Sequence, residues 1–419
     1  MNLLEDAHSL QDGLARLRHT LHRAPETGLD LPRTQETVLG AIDGLGLEVS
    51  LGGGVSSVTA VLRGARPGPT VLLRGDMDAL PVAERTGLDF ASENGNMHAC
   101  GHDLHTAMLA GSARLLAQHR DRLAGDVVFM FQPGEEGFDG ARHMVAEGVL
   151  DASGRRAEAA YAIHVMSAGT ERGRFTTRGG PTMAASNILT VTVRGAGGHG
   201  SMPYRAKDPV PAACEMVTAL QTWISRSFDI FDPVVLTVGM FHAGTQQNII
   251  PDSATFSATV RSFSPAAQAL VKDGTVRVCR GIAAAHGLEV DAEFRELYPV
   301  TVNDAAEAAF VARTVAELHG EERFLAMPQP LAGSEDFSRV LDEVPGAMII
   351  LGAAPDGADP ATAPNNHSPL ATFDDSVLAD GAALYARLAV DRLALDETVA
   401  DRLAVDAIAA KAADGVAGE

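Results

Sequence analysis

The segment His98-Ala99-Cys100-Gly101-His102-Asp103-Leu104-His105 sets a thiol among imidazoles, and Gln132-Pro133-Gly134-Glu135-Glu136-Gly137 puts two adjacent carboxylates just past an apolar run. Thiolate and imidazole are good ligands for zinc and similar divalent ions. A carboxylate beside such an ion can take a proton from water whose acidity the ion has raised. Adjacent glutamates cannot easily bind the same ion, so one of Glu135 and Glu136 suits a ligand and the other a base. His164 closes an apolar stretch that begins near Ala159, and His367 lies in Asn365-Asn366-His367-Ser368-Pro369, before the last long helix. These residues offer more ligands than one tetrahedral zinc takes, which points to two ions sharing a bridging water. Together they describe a metal-dependent hydrolytic site.

Bland readings suffice elsewhere. Cys214 and Cys279 fall inside expected helices and read as small buried packing residues. His8, His19, His22, His119, His242, His286 and His319 lack a ligand-like setting and read as surface or packing residues. Gly52-Gly53-Gly54 has no following Lys or phosphate-loop spacing and is better read as a loop than as a phosphate cradle.

Strands alternating with helices must position the candidates. Helices are expected over 8–24 and 33–46, the second closed by Gly44 and Gly46. Strands are expected over Thr70–Arg74, Asp126–Phe131 and Ala159–Val165, with helices over Leu104–Arg122 and Gly140–Val149 between them. This βαβ order implies parallel neighbours, whose carboxyl ends would bring the loops holding Cys100/His102, Glu135/Glu136 and His164 to one edge. From about Ala184 the order becomes β-α-β-β-α-β: strands near Leu189–Val193, Val234–Phe241, Thr255–Phe263 and Glu289–Glu296, helices over Val210–Arg226 and Pro265–His286. That is the split βαβ, ferredoxin-like pattern. The chain then returns through a helix over Asn303–His319, with Asn303 and Asp304 as cap candidates, and a strand over Ala347–Leu351. The expected architecture is α/β: a largely parallel mixed sheet flanked by helices (1–184 and 299–390) with an inserted α+β domain (185–298). Asp391–Asp396 recurs as Asp401–Asp406, and 391–419 reads as an acidic helical tail.

A chain of 419 residues with 46% apolar residues can bury two cores. Its net charge of −21 argues against nucleic acid or an anionic membrane as partner. Three irregularly spaced cysteines form no disulfide framework and suit a reducing compartment. Met1–Leu10 carries Glu5 and Asp6 in place of the basic-then-apolar pattern of a secretory signal. A cytoplasmic location is expected.

The ordered motifs resemble the M20 metallopeptidase family, specifically its amidohydrolase branch of N-acyl-amino-acid, hippurate and auxin-conjugate hydrolases. They are Leu17-Arg18-His19-Thr20-Leu21-His22-Arg23-Ala24-Pro25-Glu26, Arg74-Gly75-Asp76-Met77-Asp78-Ala79-Leu80-Pro81, the two segments above, and Ala162-Ile163-His164-Val165. Gly197-Gly198-His199-Gly200, Asn248-Ile249-Ile250-Pro251, Thr259-Val260-Arg261-Ser262-Phe263, Gly333-Ser334-Glu335-Asp336-Phe337 and Asn366-His367-Ser368-Pro369 continue the series. The resemblance implies that Cys100, His102, Glu136, His164 and His367 ligate two divalent ions, zinc or manganese with cobalt or nickel as options, and that Glu135 is the general acid/base. It implies a lid and homodimerisation role for the insert, with His199 reaching a partner's site to hold the oxyanion. Asn248 and Arg261 sit on lid motifs that imply substrate binding, Arg261 through an α-carboxylate; a solvated strand arginine is the plain alternative. Asp78, and with it Asp103, would orient ligand histidines. Leu104 stands where the branch usually has Gly. The implied reaction is hydrolysis of a small N-acyl amino acid; a dipeptidase or aminopeptidase on the same scaffold, or an idle binding protein, are the rivals.

Overall fold

The computed structural model describes residues 1–394. The expected acidic tail begins inside the last helix at Asp391; from residue 395 on, with the second copy of the repeat, it lies outside the described residues. Two compact units emerge, Met1–Thr182 with Val302–Gln329 and the chain from Asp336, and Met183–Thr301 with Pro330–Glu335.

The first unit opens with α1 (Leu3–Arg23), five residues earlier than expected. Glu5 and Asp6 in its first turn and His22 and Arg23 in its last complement the helix dipole. Leu3, Ala7, Leu14, Arg18 and Leu21 fall at helical spacing on its buried face. Next comes α2 (Pro32–Ile42), with Pro at its start and left-handed Gly44 and Gly46 beyond its end. The strands β1 (Glu48–Leu51), β2 (Val58–Leu62) and β3 (Arg66–Asp76) precede α3 (His102–Gln118). Then follow β4 (Ala124–Gln132), α4 (Gly140–Ala146), β5 (Ala159–Met166) and β6 (Phe175–Thr177).

The expected helix over Leu104–Arg122 is thus shifted, and His102, placed by sequence in a loop, is the first residue of α3. Gly101 sets that boundary. Its φ of 83° is left-handed, and a Cβ there would lie 2.4 Å from Val165 Cγ2. Only glycine meets both demands without strain. Leu104 is fully buried in the first turn that follows.

After connecting strand β7 (Gly180–Met183), the second unit holds β8 (Ala185–Arg194), β9 (Gly198–His199), α5 (Pro209–Ser227), β10 (Val234–Ala243), β11 (Ile249–Ile250), β12 (Ser253–Ser262), α6 (Pro265–Ala285) and β13 (Glu289–Tyr298). Asp208 caps α5 and Ser264 caps α6 through side-chain bonds to helix N–H groups. Its main sheet runs β10-β12-β8-β13 with every pair antiparallel, the ferredoxin-like order.

The return passes β14 (Thr301–Asn303), α7 (Ala305–His319), β15 (Phe324–Ala326), α8 (Ser338–Leu341), β16 (Gly346–Gly352) and α9 (Val377–Ala394). Asp304 alone caps α7; Asn303 instead bonds across to Met348 and Thr177. The first unit's sheet has the order β1-β2-β4-β3-β5-β16-β6-β15. Its centre, β4-β3-β5-β16, is parallel and almost wholly buried, as a sheet covered on both faces must be. Helices α1, α3 and α9 pack on one another, and α3 and α9 rest on β3. Among the described residues no helix is long and apolar enough to cross a membrane.

Candidate metal centre

The carboxyl ends of adjacent parallel strands assemble the site. The loop from Met77 to Gly101 after β3 delivers Cys100, and α3 begins with His102. The loop after β4 delivers Glu135 and Glu136, β5 carries His164 near its end, and His367 lies between β16 and α9. Ligand atoms of Cys100, His102 and His164 lie within 4.8 Å of one another, and so do those of Cys100, Glu136 and His367. Cys100 belongs to both groups, so its thiolate would serve both of two bound ions. A third group, His102 with Glu135 and Glu136, joins them.

The cluster is underpaired in the way a cation would correct. Both ring nitrogens of His102 and Oε1 of Glu136 are buried without a hydrogen-bond partner. Cys100 Sγ is 3.4 Å from His164 Nε2, and Glu136 Oε1 lies 3.1 Å from His367 Nε2 and 4.0 Å from His102 Nε2. Leaving buried polar atoms unpaired costs about 1–3 kcal/mol each. Thiolate, imidazole and carboxylate donors so arranged fit two divalent ions.

Charge is poised accordingly. Burial and the Glu136 carboxylate push the Cys100 thiol up, but the facing His164 and His102 imidazoles outweigh them and hold it well below the usual thiol range. Burial likewise pushes His102 down, yet Asp76, Asp78 and the thiolate hold it well above the usual imidazole value. His367, facing the Cys100 thiolate and the Glu136 carboxylate, is raised to about 10.

His105 shares a face with this cluster but has no lone pair to offer. Its Nδ1 donates to Asp76 Oδ1 at 2.6 Å, and its Nε2 accepts the Val165 N–H at 2.8 Å. Burial drives its pKa down to about 4, so it stays neutral. Asp76 also accepts from Arg74 Nη1 at 2.8 Å and stands 3.4 Å from His102 Nε2. Behind it, Arg74 and Gln132 bond to Asp336, which also accepts the Ala141 N–H at 2.9 Å. This buried knot ties the ends of β3 and β4 to the start of α4, on either side of the Glu135–Glu136 turn.

One of the two positioning assignments changes. Asp78 accepts the N–H groups of Glu135 and Glu136 at 2.9 and 3.0 Å, so it shapes the glutamate turn, and its carboxylate also faces His102 Nδ1 at 3.5 Å. Asp103 orients no ligand histidine. It accepts from Arg18 Nε and His22 Nδ1, both at 2.8 Å, because α3 turns it towards α1 and away from His102. Cys214 is exposed, not buried, while Cys279 is buried as expected. At Gly52–Gly54 the Gly53 N–H bonds to the Glu147 carboxylate, an anion standing where a phosphate would.

His199, Asn248 and Arg261 lie in the second unit. The His199 ring accepts at Nδ1 from the Ser201 hydroxyl (2.7 Å), and its residue pairs with Ile249. Asn248 is exposed and bonds Gly200 N–H through its carbonyl. Arg261 is half-buried on β12, hydrogen-bonded to Ser186 Oγ, with burial lowering its pKa. Among the described residues no carboxylate pairs with it.

Sequence reasoning gave no role to Asp76, Arg74, His105 or Asp336, although all fall within quoted motifs. His98 too was passed over: it is fully buried, both ring nitrogens lack partners, and burial drives its pKa down to about 3.

Comparison with known proteins gives the family. The model of peptidase family M20/M25/M40 matches residues 72–391. Thermostable carboxypeptidase 1 of Saccharolobus solfataricus is 35% identical over 93% of this chain and 97% of its own. Hippurate hydrolase of Campylobacter jejuni is 34% identical over 94% and 100%. A dinuclear metal-binding peptidase of family M20 from Bacillus subtilis superimposes with a TM-score of 0.78 at 30% identity, covering 92% of this chain and 99% of that one. The chain belongs to peptidase family M20/M25/M40. Within that family it is a metal-dependent hydrolase of the amidohydrolase branch.

Proposed function

We propose that the bond cleaved is the amide of an N-acyl amino acid, giving a carboxylic acid and a free amino acid. The observation carrying the hydrolytic reading is the pair of donor groups that share Cys100, with Glu135 next in sequence to one of their members. Cys100, His102, Glu136, His164 and His367 would hold two divalent ions. Bound ions supply a Lewis acid for the scissile carbonyl and make a nearby water acidic. Glu135 takes the proton of that water and returns it to the leaving amine. Asp78 keeps Glu135 at its station through the backbone bond. His199 donates to the developing oxyanion, a role in which aimed donors contribute most.

Arg261 supports the substrate class. A half-buried guanidinium without a carboxylate partner suits the α-carboxylate of an amino acid, which it can hold in a bidentate pair. Such a substrate is small and anionic, and the chain's net charge of −21 supports no nucleic-acid role. Dimerisation through the ferredoxin-like unit, with His199 of the partner subunit completing each site, follows the family resemblance and is tested by sedimentation. The unpaired cysteines support a cytoplasmic location.

A panel of N-acetyl, N-benzoyl and N-indoleacetyl amino acids, run against dipeptides after metal analysis, tests the substrate class. Turnover confined to acyl amino acids is expected. Preference for peptides would favour a peptidase, a reading to which the name of the Saccharolobus relative lends weight.

A further inference from the structure

Asn366, next to His367, belongs to none of the donor groups, yet its side chain bonds to the backbone of Cys100, Val165 and Ser167. Its Nδ2 donates to Val165 O at 3.0 Å and to Cys100 O at 3.3 Å, and it lies 3.8 Å from Cys100 Sγ. Its Oδ1 accepts from Ser167 N and Ser167 Oγ, both at 2.9 Å. The amide is fully used: two hydrogens point to carbonyls and sulfur, two lone pairs to donors. That pattern fixes its orientation, because a flipped amide would set oxygen against two carbonyls and an N–H group against an N–H donor.

Each contact leads to a metal ligand. Val165 O is the same oxygen that accepts from His164 Nδ1 at 2.8 Å, so Asn366 and His164 share one acceptor. The contact with Cys100 O pins the residue whose sulfur serves both donor groups. Through the chain Asn366 is joined to His367, whose φ of 69° is left-handed, a conformation that non-glycine residues rarely adopt. The His367 N–H bonds to Ala99 O at 2.8 Å, tying the same two segments a second time. One amide thus staples the Cys100 loop, the end of β5 and the His367 loop.

We propose that Asn366 is the positioning residue of this metal centre, holding Cys100, His164 and His367 in register and directing a weak N–H towards the Cys100 thiolate. Other asparagine-like residues cannot take its place. Aspartate would set oxygen against two carbonyls and a thiolate, and alanine would leave only the His367 N–H bond to Ala99 O between the Cys100 and His367 loops. Partners standing behind metal ligands in this way typically govern affinity by about 10–100-fold. The inference rests on the metal-binding reading above and extends it to a residue that never touches an ion.

The test is titration of the metal-free full-length protein with cobalt(II), following the thiolate-to-cobalt charge-transfer band and the number of ions bound. Wild type should bind two ions with a thiolate band. Asn366→Asp should bind at least one of them about 10–100-fold more weakly, with the band shifted or reduced. Ser167→Ala, which leaves both Nδ2 contacts in place, should stay within a few-fold of wild type. If Asn366→Asp fails to fold by circular dichroism, Asn366→Ala, which adds no charge, replaces it. Wild-type affinity and an unshifted band in a folded Asn366 variant would overturn the proposal. Absence of cobalt binding by the wild type would instead remove the metal centre itself, and neither reading depends on finding the substrate.

Discussion

Glu135 and Glu136 are neighbours in sequence with different surroundings. Glu136 Oε1 faces His367 and His102 with no hydrogen bond of its own, whereas Glu135 is held at its N–H by Asp78. Replacing Glu135 with Gln keeps shape and removes basicity, so turnover should fall about 10²–10⁴-fold. Metal analysis should still find two ions in that variant; loss of metal would make Glu135 a ligand. His22 makes a different kind of prediction. Burial pushes it down, but Asp103 and the bond His22 donates to Glu84 outweigh that and raise it to about 9. A folded-state pKa above the unfolded value of about 6.5 means that protonated His22 stabilises the fold. That contribution, on the order of 3 kcal/mol, is complete below about pH 6.5 and disappears as pH rises through about 9. Denaturant unfolding of the metal-free protein across this window should show the decline, and His22→Gln should flatten it.

At the level of elements, the site depends on where α3 begins. Gly101 permits the chain to turn from the Cys100 loop into the helix, so Gly101→Ala should cost at least about 1–3 kcal/mol from the left-handed backbone, and the clash with Val165 adds to it. Urea unfolding reads that loss, and weaker metal binding should accompany it because Cys100 and His102 flank the residue. This same region shows what sequence can and cannot reveal. Alternating apolar strands and helices, together with the rule that parallel sheets bind ligands at their carboxyl edge, were enough to bring Cys100, His102, Glu135, Glu136 and His164 to one place. Asp103 was misread because its partner, Arg18, is 85 positions away on another helix. Adjacency to His102 suggested a shared task, but consecutive helical residues point in different directions. Asn366 meets Cys100 across 266 positions, and no local pattern encodes such a contact. Helix ends were also displaced by a few residues, as at α1, where acidic residues mark the start better than the apolar spacing does.

For the molecule as a whole, binding of ions and folding are linked. Ions that bind only the folded protein should stabilise it by about 2.7 kcal/mol per site at a hundredfold excess over Kd. Chelation should therefore lower the unfolding temperature, and re-addition should restore it. Protons oppose the ions. With His367 raised to about 10 when no ion is bound, the ring must give up its proton to act as a donor. Affinity should rise with pH up to that value, by about tenfold per unit for each proton displaced, and calorimetry in buffers of unlike ionisation enthalpy should count the protons released.

Of the five donor side chains, His367 is the most open to solvent, with 55% of its surface exposed, whereas Cys100, His102 and His164 are each under a tenth exposed. Two ions held by these donors would therefore be unequal in exchange: one on the His367 side would have a short path to bulk water, and one held by the buried trio would not. Slow dialysis against a chelator should strip the outer position first, and a second kind of metal offered at that stage would yield a heterobimetallic enzyme.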